Sequence, residues 1–181
     1  MFYGFSLGIN QCFSHFITHR FMKICYFCRL NSIIYLIMTA ETQDKQAALD
    51  RRYIRMAQIW AENSYCKRRQ VGALLVKNNT IISDGYNGTP AGFKNICEDE
   101  SGRTLPYVLH AEANAITKIA RSGNNSEGAT LYVTTSPCIE CAKLIIQAGI
   151  TRVVFSELYR LSDGIDLLKE AGITVDYLEI D

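Results

Sequence analysis

A single three-layer α/β/α domain around a five-stranded mixed sheet is the fold class this chain predicts, on three observations. Short β-rich runs alternate with amphipathic helical runs over the second half of the sequence, the pattern of strands joined by crossover helices into a sheet covered on both faces. The first two strand-like runs are separated only by Lys77-Asn78-Asn79, so the sheet opens with a hairpin and is mixed. At 181 residues and 48% hydrophobic content the chain can bury one substantial core and hardly two, and no Pro/Gly/Ser-rich stretch divides it.

The elements follow in order. Residues 46–63 carry Ala48, Leu49, Tyr53, Ile54, Met56, Ala57 and Trp60 close to the i, i+3, i+4 spacing of a helix with one buried face. Strands are expected at 71–76 and 80–85. From Asn87 to Tyr107 the chain is rich in Gly, Pro, Asn and charge, too long for a turn and lacking periodic apolar residues, which marks a functional loop. A helix at 110–121, a strand at 129–135, a helix at 138–148, a strand at 151–156, a helix at 161–171 closed by Gly172 and a strand at 173–178 complete the series.

Residues 1–37 differ from this body. They contain no Asp or Glu and hold two of the three histidines. Arg20, Lys23 and Arg29 interrupt their apolar stretches, no small-residue cleavage site follows, and the longest clean run, Ser32 to Met38, is too short to span a bilayer. The segment reads as an unstructured upstream extension with Met38 as the initiator of a single domain, 38–181; a membrane-associating or targeting segment is the alternative. The extension takes 3 of the 19 basic residues and none of the 18 acidic ones, so the body is slightly acidic. That balance argues against a polyanionic partner such as DNA or tRNA and for a small substrate.

Seven cysteines are an odd number, and four fall in the pairs Cys25–Cys28 and Cys138–Cys141. Reduced thiols and metal in a cytoplasm are expected, not a disulfide framework. Cys25–Cys28 has no second ligand pair placed beside it and is assigned no function.

The chemistry gathers at two helix starts. His110-Ala-Glu112 opens one helix and Pro137-Cys-Ile-Glu-Cys141 the next. Alone, Cys138-x-x-Cys141 fits a redox pair, half of a structural zinc site or two core cysteines. Together with His110, the only histidine of the body, it supplies three borderline-soft ligands, and Glu112 adds a nearby carboxylate; a catalytic zinc needs these and an open fourth position. At a first helical turn the unpaired N–H groups and the positive end of the dipole favour thiolate over thiol. Side chains there lean towards the N-terminus, so His110 and Glu112 can both reach a metal beyond the helix end. Pro137 suits a helix start, where a missing N–H sacrifices no internal bond.

His-Ala-Glu followed by Pro-Cys-x-x-Cys resembles the signature of the zinc-dependent cytidine and deoxycytidylate deaminases, the motif known for zinc deaminases generally. Val71-Gly-Ala, Gly85-Tyr-Asn-Gly88, Pro106 to Ile116, Gly128 to Thr134 and Cys141 to Ile150 resemble the deoxycytidylate branch, so the similarity covers roughly residues 50–178. The resemblance implies a cytidine-deaminase-like fold and hydrolytic deamination of dCMP to dUMP and ammonia, supplying dUMP for thymidylate synthesis. It implies His110, Cys138 and Cys141 as ligands of Zn2+, with Glu112 moving protons between water, the pyrimidine N3 and the departing amine.

Carried over in the same way, Asn87 is a contact to sugar or phosphate, with Gly85 and Gly88 allowing close backbone approach; a plain strand-end turn is the other reading. Arg68, Arg69 and Arg121 lie beside the motifs and are candidates for the 5′-phosphate, against the reading of solvated surface charge. Some relatives hold a second, structural zinc on cysteines matching Cys66 and Cys97 together with a His or Cys just before the His-Ala-Glu helix. This chain has neither in residues 98–109. Glu98, Asp99 or Glu100 would have to complete such a site; two reduced cysteines in neighbouring loops are the alternative. The family also includes homo-oligomers, hexamers among them, activated by dCTP and inhibited by dTTP, with Mg2+ accompanying the triphosphate. A cytoplasmic protein with no membrane or nucleic-acid partner is expected. Two rivals stand beside this reading: a deaminase of another base, such as tRNA adenosine or guanine, and a non-catalytic zinc-stabilised binding module or competence-type protein of the same fold.

Overall fold

The computed structural model describes residues 38–180, and the expectation for 1–37 lies outside the described residues. A helix, α1, occupies residues 38–61. The compact unit that holds the sheet runs from Ala48 onward. Glu41-Thr-Gln-Asp-Lys-Gln46 offers no apolar side chain to a core, and its propensity carries α1 further back than apolar periodicity alone predicted.

The other elements are β1 (Gly72–Lys77), β2 (Thr80–Tyr86), α2 (Ala111–Ile119), β3 (Thr130–Thr135), α3 (Ile139–Gln147), β4 (Arg152–Glu157), α4 (Asp163–Glu170) and β5 (Thr174–Tyr177). The sheet order is β2-β1-β3-β4-β5. β1 pairs antiparallel with β2 and with β3, whereas β3, β4 and β5 are mutually parallel neighbours. Asn78 and Asn79 turn the β1–β2 hairpin with φ of 51° and 59°, the left-handed conformation that such a two-residue turn demands and that Asn tolerates.

Alternation along the strands builds two cores. Ala73, Leu75, Leu131, Val133, Val153 and Phe155 face α2, α3 and α4, while Leu74, Val76, Tyr132 and Val154 face Tyr53, Ile54 and Ala57 of α1. The result is the expected three-layer arrangement. α1 is also locked by charge: Arg152 donates to both carboxylate oxygens of Asp50 at 3.0 and 2.8 Å and to Asp176 at 2.8 Å. The Tyr132 hydroxyl donates to Asp50 at 2.7 Å. Burial, with the Asp50 hydrogen bond, holds that phenol well above its ordinary range.

Two glycines set the backbone spacing around the helix starts. A Cβ on Gly85 would lie 2.2 Å from the Ala111 carbonyl oxygen, and one on Gly164 would lie 2.2 Å from that of Pro137. β2 therefore packs directly on the first turn of α2, and α4 on the Pro137–Cys138 backbone that opens α3.

Candidate active site

His110 and Cys138 are the N-cap residues of α2 and α3, with extended backbones at φ −73°, ψ 156° and φ −76°, ψ 170°. Neither side chain makes a capping hydrogen bond, although a cap of Ser, Thr, Asn or Asp would stabilise each helix by about 1 kcal/mol. Both turn instead to a common point. The Sγ atoms of Cys138 and Cys141 lie 3.5 and 3.4 Å from His110 Nδ1. The three donors form the one group of three or more potential metal ligands among the described residues, all within 4.8 Å of one another.

Tetrahedral zinc, with Zn–S about 2.3 Å and Zn–N about 2.0–2.1 Å, requires an S···N separation of about 3.5 Å, and both separations meet it. Protonation agrees. The Cys141 thiol hydrogen bond holds Cys138 down to about 3, and that same bond to Cys138, with burial and Glu112, pushes Cys141 up. A divalent cation held between the two sulfurs would favour the thiolate at both. The bond to Cys138 also raises the His110 imidazole above its ordinary value, against burial.

Glu112 stands one residue into α2 and is 4% exposed. Burial pushes its carboxyl above the usual carboxylate range, a shift that would suit a group taking and giving a proton near neutrality. It lines a cleft of about 470 Å³ with His110, Cys138, Thr135 and Ser136, a volume suited to a nucleotide-sized ligand.

The cleft also brings together Cys66, Arg68, Arg69 and Asn87. Arg121 follows α2, about 15 Å of helix from its catalytic end, and is not among the cleft residues. Each of the others has a partner within the protein. Asn87 Oδ1 accepts from Val71 N at 2.8 Å and Nδ2 donates to Arg69 O at 2.9 Å, so its amide pins the Arg69–Val71 wall. Arg69 pairs with Glu157 at 3.2 Å, and Arg68 donates to Thr104 at 3.3 Å. The two glycines play a different part from the one expected: Gly85 approaches the α2 backbone, and a Cβ on Gly88 would meet only the Tyr86 ring at 3.8 Å.

Cys66 and Cys97 correct the sequence expectation. They are bonded to each other, with Cα atoms 5.1 Å apart, a separation ordinary for a disulfide. The pair is therefore neither two reduced thiols nor half of a second zinc site. Glu98, the neighbouring substitute ligand, instead accepts from the backbone N–H groups of Lys67 and Arg68 at 3.0 and 3.2 Å, and Asp99 is taken up by Ser101 and Arg103.

Sequence reading missed Thr135, Ser136, Leu158, Tyr159 and Arg160, all of which line the cleft. They follow or end β3 and β4 at the carboxyl edge of the parallel strands, where ligands of open α/β sheets collect, and that rule would have found them. Arg160 has no hydrogen bond or ion pair among the described residues.

Comparison with known proteins agrees with the geometry. Residues 47–157 match the model of the cytidine and deoxycytidylate deaminase zinc-binding region. The chain belongs to this deaminase family. It is 35% identical over 162 residues to the deoxycytidylate deaminase of Saccharomyces cerevisiae, covering 81% of this chain and 52% of that protein; the chain spans about half the length of this relative. Against the ComE operon protein 2 of Bacillus subtilis the identity is 38% over 134 residues, covering 71% of this chain and 70% of the relative. Among deaminases of known structure, the dCMP deaminase of the cyanophage S-TIM5 in complex with dCMP and dUMP superposes with a TM-score of 0.69 at 46% identity, over 70% of this chain and 94% of that one.

Proposed function

We propose that this protein hydrolyses dCMP to dUMP and ammonia, feeding thymidylate synthesis. The observation that carries the proposal is the buried Glu112 carboxyl lining the same cleft as the metal-spaced His110 and Cys138, in a fold shared with an enzyme captured with dCMP and dUMP. His110, Cys138 and Cys141 would hold zinc, and when bound the metal supplies the Lewis acidity that makes water nucleophilic near neutral pH.

Glu112 does the proton work. As water adds to C4 of the cytosine, the carboxylate accepts a proton from it and delivers that proton to N3. It then takes the remaining hydroxyl proton as the amine departs, and the leaving group ends as ammonia. Asn87 acts by holding the Arg69–Val71 wall, and Arg160, which lines the cleft and has no hydrogen bond or ion pair among the described residues, would meet a 5′-phosphate. Arg68 and Arg69 can add to it on exchanging Thr104 and Glu157 for the ligand.

Control by dCTP and dTTP, magnesium with the triphosphate, a homo-oligomer and a cytoplasmic setting complete the proposal on the family resemblance. No helix among the described residues is long and apolar enough to cross a membrane. Similarity to a ComE operon protein keeps the binding-module reading in view, but a structural zinc has no use for a buried carboxyl beside it.

Ammonia release and the ultraviolet change of the pyrimidine, followed with dCMP, CMP, deoxycytidine, dCTP and a tRNA, test the proposal. Selective turnover of dCMP supports it, and silence on every free nucleotide rejects it. Repeating the dCMP assay with added dCTP and magnesium reads the control, and light scattering reads the oligomer.

A further inference from the structure

The Cys66–Cys97 disulfide occupies a telling place. Residues 88–109 leave the sheet after β2 and return to α2 with their ends tied by Gly88 N to Leu109 O at 3.0 Å and Leu109 N to Gly88 O at 2.8 Å. Away from that base, the loop meets the segment after α1 at one patch. There Glu98 accepts from the N–H groups of Lys67 and Arg68, and Arg68 donates to Thr104. All three bonds are exposed, so water competes with each. The covalent link is the buried tie: Cys66 is 5% and Cys97 1% exposed. Cys66, Arg68, Glu98 and Thr104 all line the cleft, whereas Cys97 does not.

Two consequences follow from chemistry. Of the two cysteines only Cys66 lines the cleft, so a reductant entering there meets the bond from the Cys66 side, and a ligand in the cleft stands in its way. The reduced state is also accommodated, because the Asn87 carbonyl lies 3.7 Å from Cys66 Sγ and can accept from a thiol there.

We propose that Cys66–Cys97 is a redox-responsive staple of the substrate cleft: oxidised, it fixes the wall formed by residues 66–68 and 97–104, and bound nucleotide shields it from reduction. The reductant is a small dithiol. One of its thiolates attacks Cys66 Sγ, the S–S bond breaks, and Cys97 leaves as a thiolate that takes a proton. The second thiolate then attacks the mixed disulfide and releases Cys66, which is protonated in turn, so two electrons and two protons reach the protein and the dithiol leaves as a cyclic disulfide. Where the oxidised wall binds nucleotide more tightly than the reduced one, the linkage is reciprocal at equilibrium: nucleotide shifts the thiol–disulfide equilibrium towards the disulfide by the factor by which reduction weakens nucleotide binding. The shielding of Cys66 slows the attack besides. The identity of that nucleotide rests on the dCMP reading above; the staple itself does not.

The test uses the full-length, zinc-loaded chain. Alkylation without reductant followed by peptide mapping should show Cys66 and Cys97 joined and Cys138 and Cys141 unjoined. In dithiothreitol redox buffers, saturating dUMP should shift the equilibrium ratio of disulfide to dithiol at least about 5-fold towards the disulfide, the low end of coupling between linked sites, and should slow the reduction. Reduction should raise KM for dCMP by a similar factor while kcat stays within about 2-fold, since the staple holds the wall and not the metal. The paired Cys66→Ser, Cys97→Ser protein should show the high KM whether or not dithiothreitol is present. Finding both cysteines alkylated, or a second zinc per chain that the paired substitution removes, overturns the proposal, as does a reduction rate indifferent to dUMP in a protein that turns over dCMP. Should the protein bind and convert no nucleotide, the dCMP reading fails by itself. Hydrogen exchange across residues 88–109 then decides the staple: faster exchange on reduction supports it, and unchanged exchange sinks it.

Discussion

Gly164→Ala places a methyl group where the α4 backbone touches the start of α3. The new Cβ would lie 2.2 Å from Pro137 O, 2.7 Å from the Cys138 carbonyl carbon and 2.9 Å from Cys138 O. Real Cβ contacts essentially never fall under 3.0 Å, so the Pro137–Cys138 backbone or α4 must retreat by about 0.8 Å, and no flexible side chain can absorb the overlap. Overpacking of this kind costs about 1–3 kcal/mol, offset by the roughly 1 kcal/mol that Ala gains over Gly within a helix. The melting temperature should therefore move little. Function should move more, because Cys138 is a proposed zinc ligand and a misplacement of about 1 Å costs about 100-fold in rate. Chelator competition should show zinc affinity down by about 10–100-fold, the range seen when the support of a metal ligand is disturbed. Gly123→Ala is the control, since its Cβ would meet nothing within 4 Å. If Gly164→Ala matches it within about 2-fold in zinc affinity and kcat, the packing of α4 does not set the position of Cys138.

Glu112→Gln keeps the volume and removes the proposed proton carrier; kcat on dCMP should fall by at least about 1,000-fold, near 4 kcal/mol of barrier, with zinc content unchanged by metal analysis. Cys138→Ser should instead lower zinc content and thermal stability together, because metal binding and folding are coupled. Asp50→Ala leaves Arg152 facing a partly buried vacancy, and urea unfolding should show a loss of about 3–5 kcal/mol, lessened in the protein that also carries Arg152→Met. Tyr132 has a folded pKa raised above its ordinary 10.0. Both states are neutral below pH 10, and above it the unfolded state ionises first, so stability falls with rising pH by up to about 1.4 kcal/mol per unit; Tyr132→Phe, compared in urea between pH 9 and 11, should lose that part of the slope.

Local information sufficed for much of this protein. Apolar periodicity located the nine elements to within a few residues, apart from the start of α1, and the Lys77-Asn-Asn hairpin foretold a mixed sheet. The grouping of His110, Cys138 and Cys141, with Glu112 beside it, was legible because side chains drawn from two helix starts fall in short motifs, in which spacing already implies geometry. What spacing cannot convey is which distant segments share a wall. Asn87, expected to touch substrate, spends its amide on the backbone of Arg69 and Val71, and Arg160 reaches the cleft only because β3 and β4 end side by side. Cys66 and Cys97, 31 positions apart, look like unrelated thiols along the chain. Their bond depends on where a loop with no periodic pattern of its own returns to α2, and the Gly88–Leu109 pairing together with the packing of β2 on α2 fixes that return.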